Sequence, residues 1–572
     1  MMSCARPGTG DSSDIPTEVG LLGTLLAVSV LVVHVPAAVW AGNTTEFTLG
    51  YTSFLGLGLA VTAAAVLVTW LVLRILPQPR RLAVAALISG VGVIWWGYGM
   101  LFVGRMRVLN GVDEPLNFET ALGRWELALV AGVCLLLAWV IHRKPASARQ
   151  LLLVFNIGLA VVTGTTLVGA WGTSRHSRVA DAAAVFRFSP KQNVLIILLD
   201  GLQSDVADRV LRADRRLAAE FDGFRLFPDT LGVAPTTFLS LPAIHSGEVY
   251  DGGPGLSSYL TDSIEQRSFV NLFARAGYHT TLVNPVLDIC PAQTATCVSA
   301  SRLLRSPLAR AKSEAARLLD LALFRVAPVR LKRRIYRDGN WLISGRVDQP
   351  DGIAQVLEGN RLLEEVARRL TVDAGTPTLK FLHSKSTHTP YVLDRGCGVV
   401  DTSLVHLGSQ SHCALRAVAT LLRRLRQTGI YDSTVILVVA DHGINPGVFG
   451  LDAPGSHEQW VHRAGAANPL FLLKPLHAHG RLRRESEPVY LPDVGATLCD
   501  RSGACAVTNG IPAGSALPGR VRRFVLHPWQ HRFWTLQELP DITPYDVLGP
   551  VNDKASWRPG ATSDRDERSS GH

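Results

Sequence analysis

The chain has 572 residues, 47% of them hydrophobic and 18% charged, with a formal net charge of +10. It is too long for one ordinary domain and too apolar for a wholly soluble protein. The positive charge does not mark a nucleic-acid binder, because much of it lies in one segment, Arg302 to Arg337, where anionic lipid is the nearer partner.

Residues 1–19 read as a cytoplasmic tail. Residues 20–172 then carry five apolar stretches, at 20–41, 48–73, 82–103, 122–142 and 151–172. Each is near the ~20 residues that cross a bilayer, whereas a cleavable signal peptide has one such stretch. Arg74, Arg80 and Arg81 follow the second stretch and Arg143, Lys144 and Arg149 the fourth, while no Lys or Arg follows the first. Basic loops stay cytoplasmic. The expected topology is therefore a five-helix bundle in a bacterial inner membrane, with the N-terminus inside and everything beyond residue 173 in the periplasm or outside.

Residues 173–192 read as a linker. From 193 onward short apolar runs alternate with amphipathic helices: 193–200 (NVLIILLD), 376–384 (TPTLKFLHS), 433–443 (STVILVVADHG) and 468–475 (NPLFLLKP) read as buried strands. That alternation predicts one exported α/β domain over 193–550, a mostly parallel sheet sandwiched by helices. Residues 551–572 read as a polar tail. Six of the eight cysteines fall in the exported half as close couples, Cys290 with Cys297, Cys397 with Cys413 and Cys499 with Cys505. Without any C-x-x-C spacing for a zinc knuckle, local disulfides in an oxidising compartment are expected. The basic segment 302–337 has Leu and Ala at helical spacing and reads as an amphipathic helix, either lying on the membrane or simply solvated.

Ligands of an open α/β sheet gather at the carboxyl ends of its strands. Asp200 ends the first strand, Asp441 and His442 another, and His383 and His388 follow a third. Carboxylates and imidazoles are ligands that zinc or manganese takes, although a single Asp-His-Gly is also a common turn. The adjacent threonines of GVAPTTFLSLPAIHSG, Thr236 and Thr237, supply hydroxyls nearby. Lys385 and His383 neighbour His388, but alternation along an extended segment keeps the three from sharing one face. His245 reads as pointing elsewhere on a helix, and His527 and His531 as strand-end or loop residues without a role.

In their order, NVLIILLDGLQSD, PTTFLSLPAIHSG, FLHSKSTHTPY, VVADHGIN, a later His and NPLFLLKP resemble the alkaline phosphatase superfamily in its sulfatase-like branch. Five spans before such a domain resemble bacterial phosphoethanolamine transferases and lipoteichoic acid synthases. The resemblance implies a divalent metal held by Asp200, Thr237, Asp441 and His442. It makes Thr237 the nucleophile through a T-x-x-S-x-P pattern (Thr237, Ser240, Pro242), with Thr236 as its alternative. It further implies a second metal or substrate phosphate met by His388 and by His457 or His462. One or two ions are implied, zinc foremost, with manganese or magnesium as alternatives.

The chain departs from the family where sulfatases carry C/S-x-P-x-R, which speaks against sulfate ester hydrolysis. Asp200 stands where the transferases have Glu, and DHGIN where they have DHGES; LLDG resembles nucleotide pyrophosphatases. The expected reaction passes phosphoethanolamine or phosphoglycerol from a phospholipid donor, through a phosphothreonine, to an exported glycan or lipid. The alternatives are a membrane-anchored phosphodiesterase or phosphatase that uses water, and a non-catalytic binding or signalling protein.

Overall fold

The computed structural model describes the chain except residues 1–14, 45–46, 48, 102–120, 174–180, 251, 254, 287–288, 348–350, 445–458, 507–509, 516–518, 528–535 and 561–572. Two compact units emerge, one of Met1–His176 with Ser306–Asp351, the other of Ser177–Arg305 with Gly352–His572.

The first unit contains helices α1 (Ile15–Gly42), α2 (Thr52–Ile75), α3 (Gln78–Met100), α4 (Ala121–Arg143) and α5 (Pro145–Thr173). Of these, α1, α2, α3 and α5 are long and apolar enough to cross a membrane, and among the described residues of α4 the apolar stretch is Val130–Arg143. Pro36 brings no N–H to the preceding turn of α1, and the helix opens there into a π-helical turn, Val30–His34. Small residues let the helices close up: a Cβ at Gly23 would lie 2.5 Å from Ser89 Oγ on α3, and one at Gly58 of α2 would lie 2.6 Å from the Val32 carbonyl. The buried His34 meets Thr163 of α5 at 2.9 Å, so neither polar group is stranded in the bundle.

The second unit is built on an eight-stranded sheet. Its strands are β1 (Asn193–Leu199), β2 (Arg225–Leu226), β3 (His279–Val283), β4 (Thr296–Val298), β5 (Thr378–Ser384), β6 (Thr434–Val439), β7 (Phe471–Lys474) and β8 (Arg483–Arg484). Their order is β8-β2-β7-β6-β1-β5-β3-β4. From β6 through β4 all pairings are parallel, and β7 runs antiparallel to both its neighbours. Successive residues of β1 alternate between two cores: Leu195, Ile197 and Leu199 enter one, Val194, Ile196 and Leu198 the other. A strand covered on both faces has no polar side, which is why NVLIILL reads as an unbroken apolar run. On the second face lies α6 (Thr237–Ser246), whose Leu241 and Ile244 join that core.

Residues 306–351 group with the membrane helices, so the α/β unit is interrupted where the sequence predicted one continuous span over 193–550. The reason is the apolar face of α7 (Pro307–Val326): Leu318 packs with Trp40, Tyr51 and Phe54, and Ala322 and Val326 with Val30 and Val35. A second helix, α8 (Val329–Tyr336), follows at once.

The predicted linker and tail are also shorter than expected. Within the predicted linker Asp181 caps a 3-10 turn, and Arg187–Phe188 pairs with Thr371–Val372. Near the C-terminus, β9 (Arg522–Leu526), β10 (Thr543–Val547) and β11 (Trp557–Pro559) form a small sheet. Trp557 packs on Phe524 and Tyr545, so the polar composition after residue 551 conceals one anchoring aromatic. The three cysteine couples close as disulfides, Cys290–Cys297, Cys397–Cys413 and Cys499–Cys505.

Candidate functional site

Strands β6, β1 and β5 are neighbours and run in one direction, so their carboxyl ends bring distant residues together. Asp200 follows β1, His383 lies in the last turn of side chains of β5, and Asp441 and His442 follow β6. One ligand atom each from Asp200, Asp441 and His442 lie within 4.8 Å of one another.

Each side chain is aimed by a specific contact. Gly201, at φ +73°, turns the chain after Asp200 so that its N–H donates to Asp441 Oδ1 at 3.0 Å. The Thr387 hydroxyl donates to the Asp200 carbonyl. His442 Nδ1 lies 2.8 Å from the Gly443 carbonyl, which makes it the N–H donor and leaves the Nε2 lone pair facing the carboxylates. From Nε2 it is 3.5 Å to Asp441 Oδ2 and 3.8 Å to Asp200 Oδ1. Those two oxygens are buried, and among the described residues nothing donates a hydrogen bond to them.

Two unpartnered carboxylate oxygens facing an imidazole lone pair inside a protein are costly alone and fitting for a divalent cation. The donor set therefore suits the metal that the sequence implied. Burial opposes a charge on Asp200, yet His388, His383 and His442 outweigh it and hold its carboxyl far below the usual range. Burial likewise opposes a charge on His442, but Asp441, Asp200 and the Gly443 carbonyl raise its pKa above the ordinary histidine value. Protons and a cation would compete for this nitrogen.

Thr237 is the first residue of α6, and its Oγ1 lies 3.3 Å from His442 Nε2. The helix begins there because Thr236 is extended (φ −143°, ψ 142°) and Gly247 ends it in the left-handed region. Thr236 does not cap the helix with its side chain. Its hydroxyl instead meets His527 Nε2 at 2.9 Å. The two threonines thus diverge: one faces the cluster, the other a different histidine.

A cleft of about 650 Å³ opens at this point, with His388, His442, Arg463 and His527 among its walls and Ile444 and Leu526 as apolar flanks. Arg463 belongs to α9 (Gln459–Ala467) and lies over the Tyr545 ring at 4.1 Å. Such basic walls suit an anionic substrate.

The other predicted residues divide. His383 is drawn inward, its Nε2 3.1 Å from Asp200 Oδ2 and its Nδ1 3.2 Å from the Asn284 carbonyl. Two residues on, Lys385 donates to Gln355 on the exposed side, away from the cluster. His388 reaches the cleft from the loop after β5. His462 lies on α9, and His457 lies outside the described residues. His527, read from the sequence as a strand-end or loop residue without a role, follows β9 as Asp200 follows β1 and reaches the cleft, and Arg463 was not singled out.

His245 takes no part. It hydrogen-bonds Ser268 at 2.8 Å, stacks between Phe269 and Phe381, and burial depresses its pKa from 6.5 to about 3. Between these values the unfolded chain holds a proton that the folded chain does not, so stability falls as pH drops through that window. His245→Phe should flatten this part of the curve, the wild type losing about 2–3 kcal/mol more than the variant between pH 6.5 and 4.5. Unfolding measured at both pH values checks this; parallel losses would contradict a neutral buried ring.

The Sulfatase family model matches residues 192–504. Similar solved structures include a protein in the alkaline phosphatase superfamily from Vibrio parahaemolyticus, with 11% identity over 66% of this chain and 83% of that one (TM-score 0.39). The C-terminal periplasmic domain of EcEptC from Escherichia coli has 12% identity over 64% and 92% (TM-score 0.36). The lipoteichoic acid synthase LtaP from Listeria monocytogenes has 12% identity over 64% and 84% (TM-score 0.39). No curated protein matches the chain. The family match spans more than half of the 572 residues and covers the strands that end in Asp200, Asp441 and His442, and on that ground the chain belongs to the Sulfatase family.

Proposed function

We propose that this chain is a metal-dependent phosphotransferase of a bacterial inner membrane, which moves a phospholipid headgroup, phosphoethanolamine or phosphoglycerol, through Thr237 to an exported glycan or lipid. The observation that carries the proposal is the position of Thr237: a hydroxyl opening a helix, 3.3 Å from His442, beside two carboxylates with unpartnered oxygens. No cysteine or serine in a C/S-x-P-x-R motif accompanies the threonines, so the sulfatase nucleophile is replaced.

When bound, a divalent cation at Asp200, Asp441 and His442 supplies the charge that makes a threonine hydroxyl acidic enough to react near neutral pH. The chain's own groups do the rest. Thr237 Oγ, its proton given up to solvent, forms a bond to the headgroup phosphorus as the bond to the diacylglycerol oxygen breaks, and it regains a proton from solvent when the acceptor displaces it. The start of α6 presents backbone N–H groups and the positive end of its dipole to the phosphate. His388, on the cleft wall, donates a proton to the departing diacylglycerol oxygen and then receives one from the acceptor hydroxyl that displaces Thr237. Arg463 and His527 hold the phosphate charge from the remaining walls.

The membrane unit supports a lipid donor, since such a donor stays in the bilayer. Arg74, Arg80 and Arg81 lie where α2 meets α3, and Arg143, Lys144 and Arg149 where α4 meets α5, so short turns carry the basic residues to one end of the bundle. Purified full-length protein given headgroup-labelled phosphatidylethanolamine or phosphatidylglycerol should release diacylglycerol and pass the label to a glycan acceptor. Diacylglycerol release with the label appearing only as the free headgroup phosphate would make the enzyme a hydrolase, and no release with either lipid would overturn the reading.

A further inference from the structure

We propose that α8 is a binding surface for the anionic phospholipid headgroups of the bilayer that the bundle spans. The helix is VRLKRRIY, and its side chains divide cleanly. Lys332, Ile335 and Tyr336 are buried, Ile335 and Tyr336 in an aromatic cluster with Phe324 and Trp341. Arg330, Arg333, Arg334 and the following Arg337 are exposed, and among the described residues none of them has an ion-pair or hydrogen-bond partner. Leu331, in their midst, is 44% exposed. An apolar residue among unpaired arginines is out of place in water and at home at a headgroup layer, where the side chain enters the acyl boundary and the guanidinium groups meet phosphates.

The anchoring of α8 sets where that face lies. The buried Glu126 of α4 accepts the Val329 N–H, the first of α8, at 2.8 Å, and a hydrogen bond from Tyr98 of α3. Arg325 donates to the Gly99 carbonyl at 2.8 Å, and Glu314 of α7 accepts the Leu49 N–H at 3.2 Å. Leu49 joins α1 to α2, Gly99 is next to the end of α3, and Glu126 is in the second turn of α4. All three ties are thus at one end of the bundle, opposite the basic turns, and a helix held at a bundle end lies at the depth of the headgroups. The acidic groups nearby are consumed inward, Glu126 by α8 and Asp320 by the N–H groups of Ile343 and Ser344. What remains outward is four arginines, against which the sequence sets the single Asp338 after Arg337 and no acidic side chain of α8; this excess of positive charge is complementary to an anionic lipid surface.

This assignment stands on the membrane unit alone and holds whether or not Thr237 is the nucleophile. Native mass spectrometry of the full chain in mild detergent, titrated with phosphatidylglycerol or phosphatidylcholine, reads it without turnover. The variant R330Q/R333Q/R334Q should lose affinity for phosphatidylglycerol by about 100-fold, at roughly tenfold or less per charge, with phosphatidylcholine binding unchanged. R330K/R333K/R334K keeps the charge and should bind like wild type, which separates lost electrostatics from damaged folding. Unchanged phosphatidylglycerol affinity in the glutamine variant, equal loss for both lipids, or a lysine variant as weak as the glutamine one would overturn the proposal. A wild type that holds a soluble anionic oligosaccharide more tightly than phosphatidylglycerol would overturn it as well.

Discussion

Thr237→Ala should abolish phosphodiester turnover, lowering kcat by at least about 10⁴-fold, or roughly 5 kcal/mol of barrier. In the proposed reaction the variant removes the atom that forms the covalent bond, and Thr237 is the described hydroxyl that meets His442. Thr236 is the neighbouring hydroxyl, but it is committed to His527 at 2.9 Å, so Thr236→Ala should cost far less, about tenfold or under. Thr237→Ser keeps an oxygen at the start of α6 and should retain measurable turnover. Steady-state kinetics on a soluble phosphodiester checks all three. Equal losses in the two alanine variants would mean that the pair acts through the local fold and not through one nucleophile.

Asp441→Asn should have the second-largest effect, and its readout does not depend on activity. The asparagine carbonyl still accepts the Gly201 N–H, so the turn after β1 is kept, while the charge and the unpartnered oxygen are lost. Zinc or manganese at about 100 times its dissociation constant should stabilise wild type by about 2.7 kcal/mol and the variant hardly at all. Thermal unfolding with and without added metal, combined with elemental analysis, measures this. In metal-free protein the sign reverses: neutralising Asp441 relieves repulsion with Asp200, and the variant should be the more stable of the two. Bound metal should fall with pH as His442 takes up a proton, a competition that its raised pKa strengthens. Equal stabilisation of wild type and variant by the metal would remove Asp441 from the ligand set.

Much of the site was legible because its residues sit where the chain leaves buried strands. An all-apolar run such as NVLIILL announces a strand covered on both faces, and the first polar residue after it, Asp200, must be at its carboxyl end. Asp441 and His442 are marked in the same way after β6. What sequence spacing does not carry is neighbourhood between strands. That β6, β1 and β5 are adjacent is a property of the sheet order, and only this adjacency brings Asp200, His383 and His442 together.

His527 was set aside and Arg463 passed over for a different reason. Each comes from a short element far along the chain, β9 and α9, without the long apolar flank that marks the central strands. The insertion of α7 and α8 was legible as amphipathic helix but not as part of the membrane unit, since an apolar face specifies that something covers it and not what. His245 shows the same limit in reverse. A histidine eight residues from Thr237 in an apolar helix has the composition of a site residue, and its aromatic stacking partners Phe269 and Phe381 come from other elements.

In the proposed reaction a phospholipid headgroup resides on one particular hydroxyl, that of Thr237. Purified protein incubated with phosphatidylethanolamine or phosphatidylglycerol in the absence of an acceptor, quenched in acid and digested, should yield the peptide containing GVAPTTFLSLPAIHSG with phosphoethanolamine or phosphoglycerol on Thr237. An unmodified peptide under conditions where diacylglycerol accumulates, or an adduct carried by Thr236 instead, would contradict the account.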